Sequence, residues 1–398
     1  MGRDEVAARR PVHLSATSGA AAPSGEDAAA AGGAVSATGA PSAKVSKGAK
    51  GATAAPGAPD DLPLTGLRVI DLTRLLPGPL ATRHLAELGA EVIKIEGPAD
   101  QGQDDGTRTM GLTPGDRAAG EPALTFRVLN RGKQMMRLDL REPAGVAALL
   151  ELVRGADALV EGFRPGVMDK LGVGWQAVHA ANPRLVMCSI SGYGQRSAWA
   201  HRAGHDINYI GMAGVLEQIA TVEGELAVPN FQIGDLLGGT QAAVAGVLAG
   251  LLGAQRSGRG RFVDVSMTHE VLRHHALAAI TLQSTGRTPR PGRDLLSGGA
   301  PCYGVYRTAD ARHMAVGALE PKFWAALCGV LGRADWVAQH WSHGLVPGSA
   351  ASMALREELA RVFAAESQAH WIGRFEAVDA CVTPVLRLEE TLNHPLFR

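Results

Sequence analysis

The stretch that decides the fold begins with Leu67-Arg-Val-Ile-Asp-Leu72 and ends with Glu91-Val-Ile-Lys-Ile-Glu96. Both segments have the short apolar run of a buried strand, and the residues between them predict a helix over 81–88 that ends at Gly89. A strand, a helix and a second strand in so short a stretch form a βαβ unit, whose two strands run parallel. The sequence therefore predicts an α/β fold that starts at this unit.

The alternation of strand and helix patterns continues after this unit. Further strands are expected over 136–140, 158–161, 185–189 and 262–265, and further helices over 144–154, 207–219 and 235–253. Such alternation is typical of a mostly parallel sheet with helices on both faces. We therefore predict a large Rossmann-like domain over residues 61–285.

A second, smaller domain is predicted after a stretch rich in Gly, Pro and Arg at 286–301. The segments 303–307 and 313–317 have the pattern of antiparallel strands, and helices that carry four tryptophans follow them. We expect an α+β domain over 286–375 and a short return segment over 376–398.

The first 60 residues differ from the rest in composition. Of these, 39 are Ala, Gly, Ser or Pro, and the first aromatic residue of the chain is Phe126. A segment without aromatics buries too little apolar surface to offset its conformational entropy, so we predict a disordered tail over 1–60. The whole chain has 39 basic and 39 acidic residues, which gives no electrostatic signal for nucleic acid or an anionic membrane.

Targeting and membrane signals are weak. No apolar run follows the basic residues near the N-terminus, so a secretory signal is not expected. Residues 236–255 carry no charge, but their five glycines and the polar Thr240 and Gln241 favour a buried core helix over a membrane span. The four cysteines are widely spaced, which argues against disulfides and thiolate zinc sites. We therefore expect a cytoplasmic protein with no membrane partner.

Two common cofactor-binding motifs are incomplete in this sequence. The loop after the first strand of the βαβ unit offers only Gly78 between two prolines, whereas a dinucleotide site needs Gly-x-Gly-x-x-Gly. His269-Glu270 resembles the start of a zinc-protease motif, but the next histidine, His274, is five residues on instead of four. We predict neither a nicotinamide site nor a metal site.

Two acidic residues and a histidine stand where predicted helices begin. Gly204-His205-Asp206 opens one helix, and Ile233-Gly234-Asp235 opens the long apolar one. In the simpler interpretation the aspartates are N-caps. In the alternative, the N–H groups and dipole at the helix head favour a carboxylate that serves as a base or a nucleophile, beside glycines that admit a substrate. The residues alone leave both interpretations open.

The chain as a whole resembles the family III CoA-transferase superfamily. The motifs that carry the resemblance are 67–72, 77–79, 88–96, Asn130-Arg-Gly-Lys133, 161–168, Ser191-Gly-Tyr-Gly-Gln195 and 258–265. Within the superfamily, Gly204-His-Asp-Ile-Asn-Tyr209, Gly298-Gly-Ala-Pro301 and 315–321 resemble the α-methylacyl-CoA racemase branch. The resemblance implies a Rossmann-like large domain, a small domain and two chains interlocked as a homodimer.

The resemblance also implies roles for particular residues. His205 and Asp235 match the acid/base pair of the racemases, and Glu320 matches the carboxylate that supports the histidine. The implied CoA-binding positions are Leu138, Arg141, Gly162, Phe163, Arg164 and Lys170. Gly97 stands where relatives often carry an arginine. CoA enters as part of the substrate, and no further cofactor is implied.

Three functions follow from these matches. In the first, His205 and Asp235 invert a 2-methylacyl-CoA by moving the α-proton from one face to the other, with the enolate oxygen bound by N–H groups at the helix head beside Asp235. In the second, a CoA-transferase, Asp235 attacks the thioester as a nucleophile and needs no histidine. The third is a catalytically silent CoA-binding protein. His205 favours the first.

Overall fold

The computed structural model describes residues 13–15, 62–221, 223–288 and 290–397. The described residues divide into two compact units: the first contains those up to 213 and 230–274, and the second contains those of 214–229 and those from 275 onwards. The first unit is built on a seven-stranded sheet. Its strands are β1 (His13–Ser15), β2 (Arg68–Leu72), β3 (Glu91–Glu96), β4 (Gln134–Arg137), β5 (Ala158–Glu161), β6 (Val186–Ser191) and β7 (Phe262–Ser266).

Six of the seven strands run parallel, as predicted. Their order across the sheet is β7-β6-β5-β2-β3-β4, so the direction of winding reverses between β2 and β5. Such a reversal leaves a crevice at the carboxyl ends of the two central strands, which is where open α/β sheets bind ligands.

The strand β1 pairs antiparallel with the edge strand β7. The prediction of a disordered tail is therefore wrong at His13–Ser15, because an exposed sheet edge offers N–H and C=O groups that an extended segment can pair. The rest of the tail, residues 1–12 and 16–60, lies outside the described residues.

Helices connect the strands of the first unit. They are Pro77–Glu87, Pro114–Ala119, Leu124–Leu129, Pro143–Arg154, Val167–Lys170, Trp175–Ala181, Asp206–Met212, Gly234–Ser257 and Met267–His274. Three begin with proline, whose fixed φ and missing N–H suit the first helical position. For this reason the helix expected over 81–88 starts four residues earlier, at Pro77.

Two predicted elements differ from the observed ones. The strand expected over 136–140 is β4, which ends at Arg137, and Leu138 and Leu140 pack in the core after the strand has ended. The helix expected over 207–219 stops at Met212, because Gly214 takes a left-handed φ of 73° before a separate turn at Val215–Gln218.

The long helix Gly234–Ser257 crosses the core of the first unit. It is the one helix of the described chain that is long and apolar enough to span a membrane. Its glycines face the sheet closely: a Cβ at Gly246 would lie 2.7 Å from Val263 Cγ1, and one at Gly250 would lie 2.6 Å from Val186 Cγ1. The small residues are therefore explained by helix-to-sheet packing, which supports the predicted core helix.

The second unit contains a three-stranded antiparallel sheet in the order β10-β9-β8. Its strands are β8 (Tyr303–Arg307), β9 (His313–Gly317) and β10 (Val382–Pro384). Its longer helices are Ala276–Thr285, Pro321–Leu331, Ala350–Ala364, Gln368–Phe375 and Leu388–Asn393. Trp324, Trp336 and Trp371 are buried in its core.

The boundaries of this unit differ from the predicted ones. Residues 275–285 and 214–229 belong to it and not to the large domain. The segment 376–398, predicted to return to the large domain, belongs to it as well, because β10 pairs with β9.

Candidate active site

A cavity of about 300 Å³ lies where the carboxyl ends of β2, β5 and β6 meet. Thr73 follows β2, Gly162 follows β5 and Gly192 follows β6, and all three line it. His205 and Asp235 line the same cavity, although 30 residues separate them in the chain. The fold thus brings together the two residues that the sequence singled out.

Asp235 lies in the first turn of the long helix, whose first eight residues, Gly234–Gln241, have the wider π-helical turn. His205 is the residue before the helix Asp206–Met212. The two helix starts are joined directly, because the N–H of Asp235 donates to Oδ1 of Asp206 at 3.0 Å. A Cβ at Gly234 would lie 3.0 Å from the same Oδ1, so the glycine permits this approach.

The hydrogen bonds at this helix head change one expectation. The N–H of Asp235 is already bound to Asp206, and the N–H of Leu236 donates to the carbonyl of Gln232 at 2.8 Å. These two groups are therefore engaged, and the prediction that N–H groups beside Asp235 bind the enolate oxygen is wrong at both of them.

The carboxyl group of Asp235 has a raised pKa. Burial is the main cause that raises its pKa from 3.8 to about 6, the nearby Asp206 adds to this, and His205 opposes it. A carboxyl with such a pKa is present in both protonation states close to neutral pH, which an acid/base catalyst needs.

Two aromatic side chains, Tyr193 and Tyr209, support the segment that carries His205, and we call this pair the aromatic wall. Tyr209 donates its hydroxyl hydrogen to the carbonyl oxygen of Gly204. Its ring packs edge-to-face on Tyr193, with centroids 5.4 Å apart. A Cβ at Gly192 would lie 2.4 Å from Tyr209 Cε1, and one at Gly204 would lie 2.8 Å from the same atom. Both glycines are therefore required where the wall meets the cavity.

A second, smaller cavity of about 60 Å³ lies in the same unit. Leu138 and Arg141 line it, Gly162 and Arg164 line the first cavity, and Phe163 lines both. Five of the six predicted CoA-binding residues therefore lie on these two cavities. Their role in binding CoA stays a prediction.

The remaining predicted residues lie elsewhere. Lys170 ends the short helix Val167–Lys170, is exposed and lines neither cavity. Glu320 belongs to the second unit, where it precedes the helix Pro321–Leu331. Its support of His205 stays a prediction.

The sequence did not single out two further arginines of the first cavity. Arg74, Arg164 and Arg202 line it together with one carboxylate, that of Asp235. Among the described residues, none of these three guanidinium groups forms an ion pair with a carboxylate; Arg202 stacks on Trp199 at 4.1 Å, and Arg74 lies 5.8 Å from the Phe163 ring. Arg74 could have been found from its place two residues after the end of β2, at the point where the winding reverses.

Buried charges support the loop that follows β2. Nζ of Lys94 donates to the carbonyl of Thr73 at 2.6 Å and lies 3.2 Å from Oδ2 of Asp105. Oδ1 of Asp105 accepts from the N–H of Leu75 at 3.2 Å. The side chains of Lys94 and Asp105 are fully buried, so one ion pair fixes the main chain on both sides of Arg74.

Asp71, within β2, is the centre of a second cluster of buried polar side chains next to this loop. Its carboxylate accepts hydrogen bonds from the hydroxyls of Thr73 and Thr82 and from Nζ of Lys133 at 2.9 Å. Burial alone would raise its pKa, but Lys133 and Lys94 hold the pKa well below its usual value. A buried network of charged groups therefore holds the loop in place.

Glu161, the last residue of β5, is a buried carboxyl group next to the cavity. Its Oε2 accepts the N–H of Phe163 at 2.7 Å. Burial raises its pKa from 4.5 to about 7, the hydrogen bonds of Ser189 and Phe163 oppose this, and Asp264 and Asp169 add to it.

We expect this group to make the protein less stable as the pH rises. A carboxyl whose folded pKa exceeds its unfolded pKa ionises first in the unfolded chain, so stability falls as pH rises from 4.5 to about 7. Glu161→Gln keeps an acceptor for Phe163 and removes this penalty. Urea denaturation should show the variant more stable than wild type by about 3 kcal/mol at pH 8 and by less than about 1 kcal/mol at pH 5. The same difference at both pH values would contradict this assignment.

No cluster of three or more His, Cys, Asp or Glu side chains in the described ranges is arranged to hold a metal ion. The features found instead are a carboxyl and a histidine at a sheet crevice, an adjoining second cavity, and arginines that have no carboxylate partner in the described part of the chain. Such an arrangement can bind an anionic ligand and move a proton.

Known proteins match this chain over most of its length. Residues 64–398 match the family described as CoA-transferase family III. The human alpha-methylacyl-CoA racemase is 35% identical over 333 residues, which cover 83% of this chain and 80% of the human one. The acetyl-CoA:oxalate CoA-transferase of Acetobacter aceti is 33% identical over 334 residues, which cover 84% and 83%.

Solved structures share the fold. A CAIB/BAIF family protein from Brucella suis has a TM-score of 0.70 at 25% identity, over 84% of this chain and 87% of that one. The hypothetical protein Rv3272 from Mycobacterium tuberculosis has a TM-score of 0.69 at 28% identity, over 85% and 88%. The family match and the shared fold thus define an α/β enzyme that handles CoA thioesters. This chain belongs to CoA-transferase family III and acts on acyl-CoA.

Proposed function

We propose that the enzyme epimerises 2-methylacyl-CoA thioesters by transferring the α-proton between two bases. The observation that carries the proposal is that His205 and Asp235 line one cavity and that the pKa of Asp235 is about 6. The identity to the human racemase supports it.

In this proposal His205 and Asp235 exchange the roles of base and acid between the two epimers. For one epimer, neutral His205 takes the α-proton, and protonated Asp235 delivers a proton to the other face of the enolate. For the other epimer, the Asp235 carboxylate takes the proton and protonated His205 returns one. Arg74, Arg164 and Arg202 contribute the positive field in which the enolate charge develops.

The test follows one stereochemically pure 2-methylacyl-CoA in deuterated water by NMR, with and without a free carboxylic acid. Epimerisation with deuterium uptake at the α-carbon, independent of the acid, is the expected result. CoA transfer to the acid without α-exchange would identify a transferase. Binding of CoA with neither reaction would identify a silent CoA-binding protein.

A CoA-transferase is the second candidate, and one observation favours it. Arg202 lies on the cavity without a carboxylate partner among the described residues, so it can bind the carboxylate of an acid acceptor. Asp235 would then attack the thioester carbonyl and expel the CoA thiolate, which gives a mixed anhydride of the acyl group and Asp235. The thiolate would attack the Asp235 carbonyl, release the donor acid and leave an aspartyl-CoA thioester. The acceptor carboxylate would attack this thioester and expel the thiolate again, and the thiolate would open the second anhydride at the acceptor's acyl carbonyl, which gives the new acyl-CoA and free Asp235. The identity to the Acetobacter aceti transferase supports this alternative.

We also propose that two copies form a homodimer. The helix Ala276–Thr285 has no buried residue, although Leu277 is 65% and Ile280 is 57% exposed. An apolar helix without a covering partner is typical of a subunit interface. Light scattering after size exclusion should give twice the chain mass of 41.4 kDa, and Ile280→Glu should shift it towards the monomer.

The proposed location is a reducing compartment such as the cytoplasm. Cys188, Cys302 and Cys328 are buried as free thiols and Cys381 is exposed, and none of the four forms a disulfide. Imaging of a fluorescent fusion tests this proposal.

A further inference from the structure

Asp206 connects the two helix starts that carry His205 and Asp235. It is the first residue of the helix Asp206–Met212, and His205 occupies the N-cap position before it. The simpler interpretation, in which Asp206 is an N-cap, is therefore wrong. Its side chain reaches beyond its own helix, and Oδ1 accepts the N–H of Asp235 at 3.0 Å. Asp206 lines neither of the two cavities, so it acts on Asp235 and not on a ligand.

The main chain around Gly234 holds the two aspartates close together. A Cβ at Gly234 would lie 3.0 Å from Oδ1 of Asp206 and 3.3 Å from the Asp206 carbonyl oxygen. Any larger residue at this position would push the two helix starts apart. The helices that begin at Pro77 and Met267 approach the next turn through Pro77, Met267 and Val271, which carry no charge.

The position of Asp235 alone would favour its ionised form. A carboxyl group in the first turn of a helix usually has a lowered pKa, because free N–H groups and the helix dipole stabilise the anion. Asp206 takes up the N–H of Asp235 and adds a negative charge, which raises the pKa, as burial does, whereas His205 lowers it. The titratable and charged groups that face Asp235 or line its cavity are His205, Asp206, Tyr209, Arg74, Arg164 and Arg202.

We propose that Asp206 is a positioning residue that fixes Asp235 at the site and keeps its protonated form accessible near neutral pH. The hydrogen bond to the N–H fixes the first turn of the long helix, and the charge of Asp206 disfavours a second carboxylate beside it. This inference rests on the acid/base role of Asp235 in the proposed function, and it assigns the control of that role to a residue outside the cavity.

Titration of the Asp235 carboxyl carbon by NMR tests the effect of the charge. The protein is isotopically labelled at the aspartate carboxyl carbons, and the Asp235 signal is assigned by its loss in Asp235→Asn. Asp206→Asn keeps an oxygen for the N–H and removes the charge, so the titration midpoint should move to lower pH by about 1 unit. An unchanged midpoint would overturn the proposal. The measurement needs no catalytic activity.

The pH profile of epimerisation tests the same effect in the reaction. At low pH, His205 and Asp235 are both protonated and neither can take the α-proton. In Asp206→Asn the pair loses its first proton at lower pH, so the acid limb of kcat/KM should move to lower pH. Asp206→Ala also removes the hydrogen bond to the N–H. It should lower kcat by about 10-fold or more with little change in KM, because Asp235 is displaced while the cavity lining is kept.

The matched control is Asp335→Asn, which removes the same charge from a side chain of the second unit that is 61% exposed. It should leave the NMR midpoint and the pH profile unchanged. A loss of stability in Asp206→Asn without a shift of the midpoint would overturn the proposal, as would a wild-type kcat in Asp206→Ala. If the midpoint moves but wild type does not epimerise, the effect of Asp206 on Asp235 stands and the proton-transfer function fails.

Discussion

Asp235→Asn is expected to reduce epimerisation by about 10²- to 10⁴-fold, the range that a general acid/base group contributes. The amide can neither take nor deliver a proton, so one face of the α-carbon loses its acid/base group. The variant should still exchange the α-proton with deuterated solvent for the epimer that faces His205, without inverting it. NMR of deuterium uptake and of the epimer ratio measures both effects on one sample.

His205→Ala is the complementary variant, and its loss should be similar. It should retain exchange only for the epimer that faces Asp235. The double variant should be no slower at inversion than either single one, because neither group inverts the centre alone. Wild-type inversion in His205→Ala would refute the two-base mechanism, whereas retained CoA transfer in His205→Ala and none in Asp235→Asn would establish the transferase.

Lys94→Met should lower the free energy of unfolding by about 3–5 kcal/mol, because it leaves the buried carboxylate of Asp105 without its counter-ion. Methionine fills a similar volume, so the loss is electrostatic and not the result of a cavity. The carbonyl of Thr73 also loses its hydrogen bond from Nζ. Urea denaturation followed by circular dichroism measures the change.

The control removes a comparable charge from an exposed pair. Arg154 lies near Glu151 on the helix Pro143–Arg154, with side chains 58% and 72% exposed. Arg154→Met should cost less than about 1 kcal/mol, because water screens such pairs. A loss below about 1 kcal/mol in Lys94→Met as well would show that the buried pair does not stabilise the fold.

The sequence predicted the bounds of β2, β3 and β5 better than those of the edge strand β4. The strand β5 has the predicted bounds, and β2 differs by one residue, because both are buried on both faces and read as unbroken apolar runs. The edge strand β4 is half exposed, so its apolar pattern marks the core contacts of Leu138 and Leu140 that come after it. An apolar pattern indicates which residues are buried. It does not by itself show where one strand stops pairing with its neighbour.

The sequence predicted only part of the candidate site, because local patterns do not show which distant segments come into contact. His205 and Asp235 were found because they begin helices next to glycines, which local sequence shows. The pair Lys94–Asp105 and the wall of Tyr209 were not found, since each depends on contacts between segments that are distant in the chain. The strand β10 joins the small sheet from the end of the chain, which no local pattern could indicate.

The aromatic wall limits how the substrate range of this enzyme can be redesigned. A library that varies the cavity lining should keep Gly192 and Gly204 fixed, because any side chain there enters the volume of the Tyr209 ring. Ile190 and Ala200 line the same cavity, but both are buried, so only substitutions that nearly conserve volume are well tolerated there. Selectivity for longer or shorter acyl chains is therefore best sought through small changes of volume at these two positions, which leave the contact between Tyr209 and Gly204 in place.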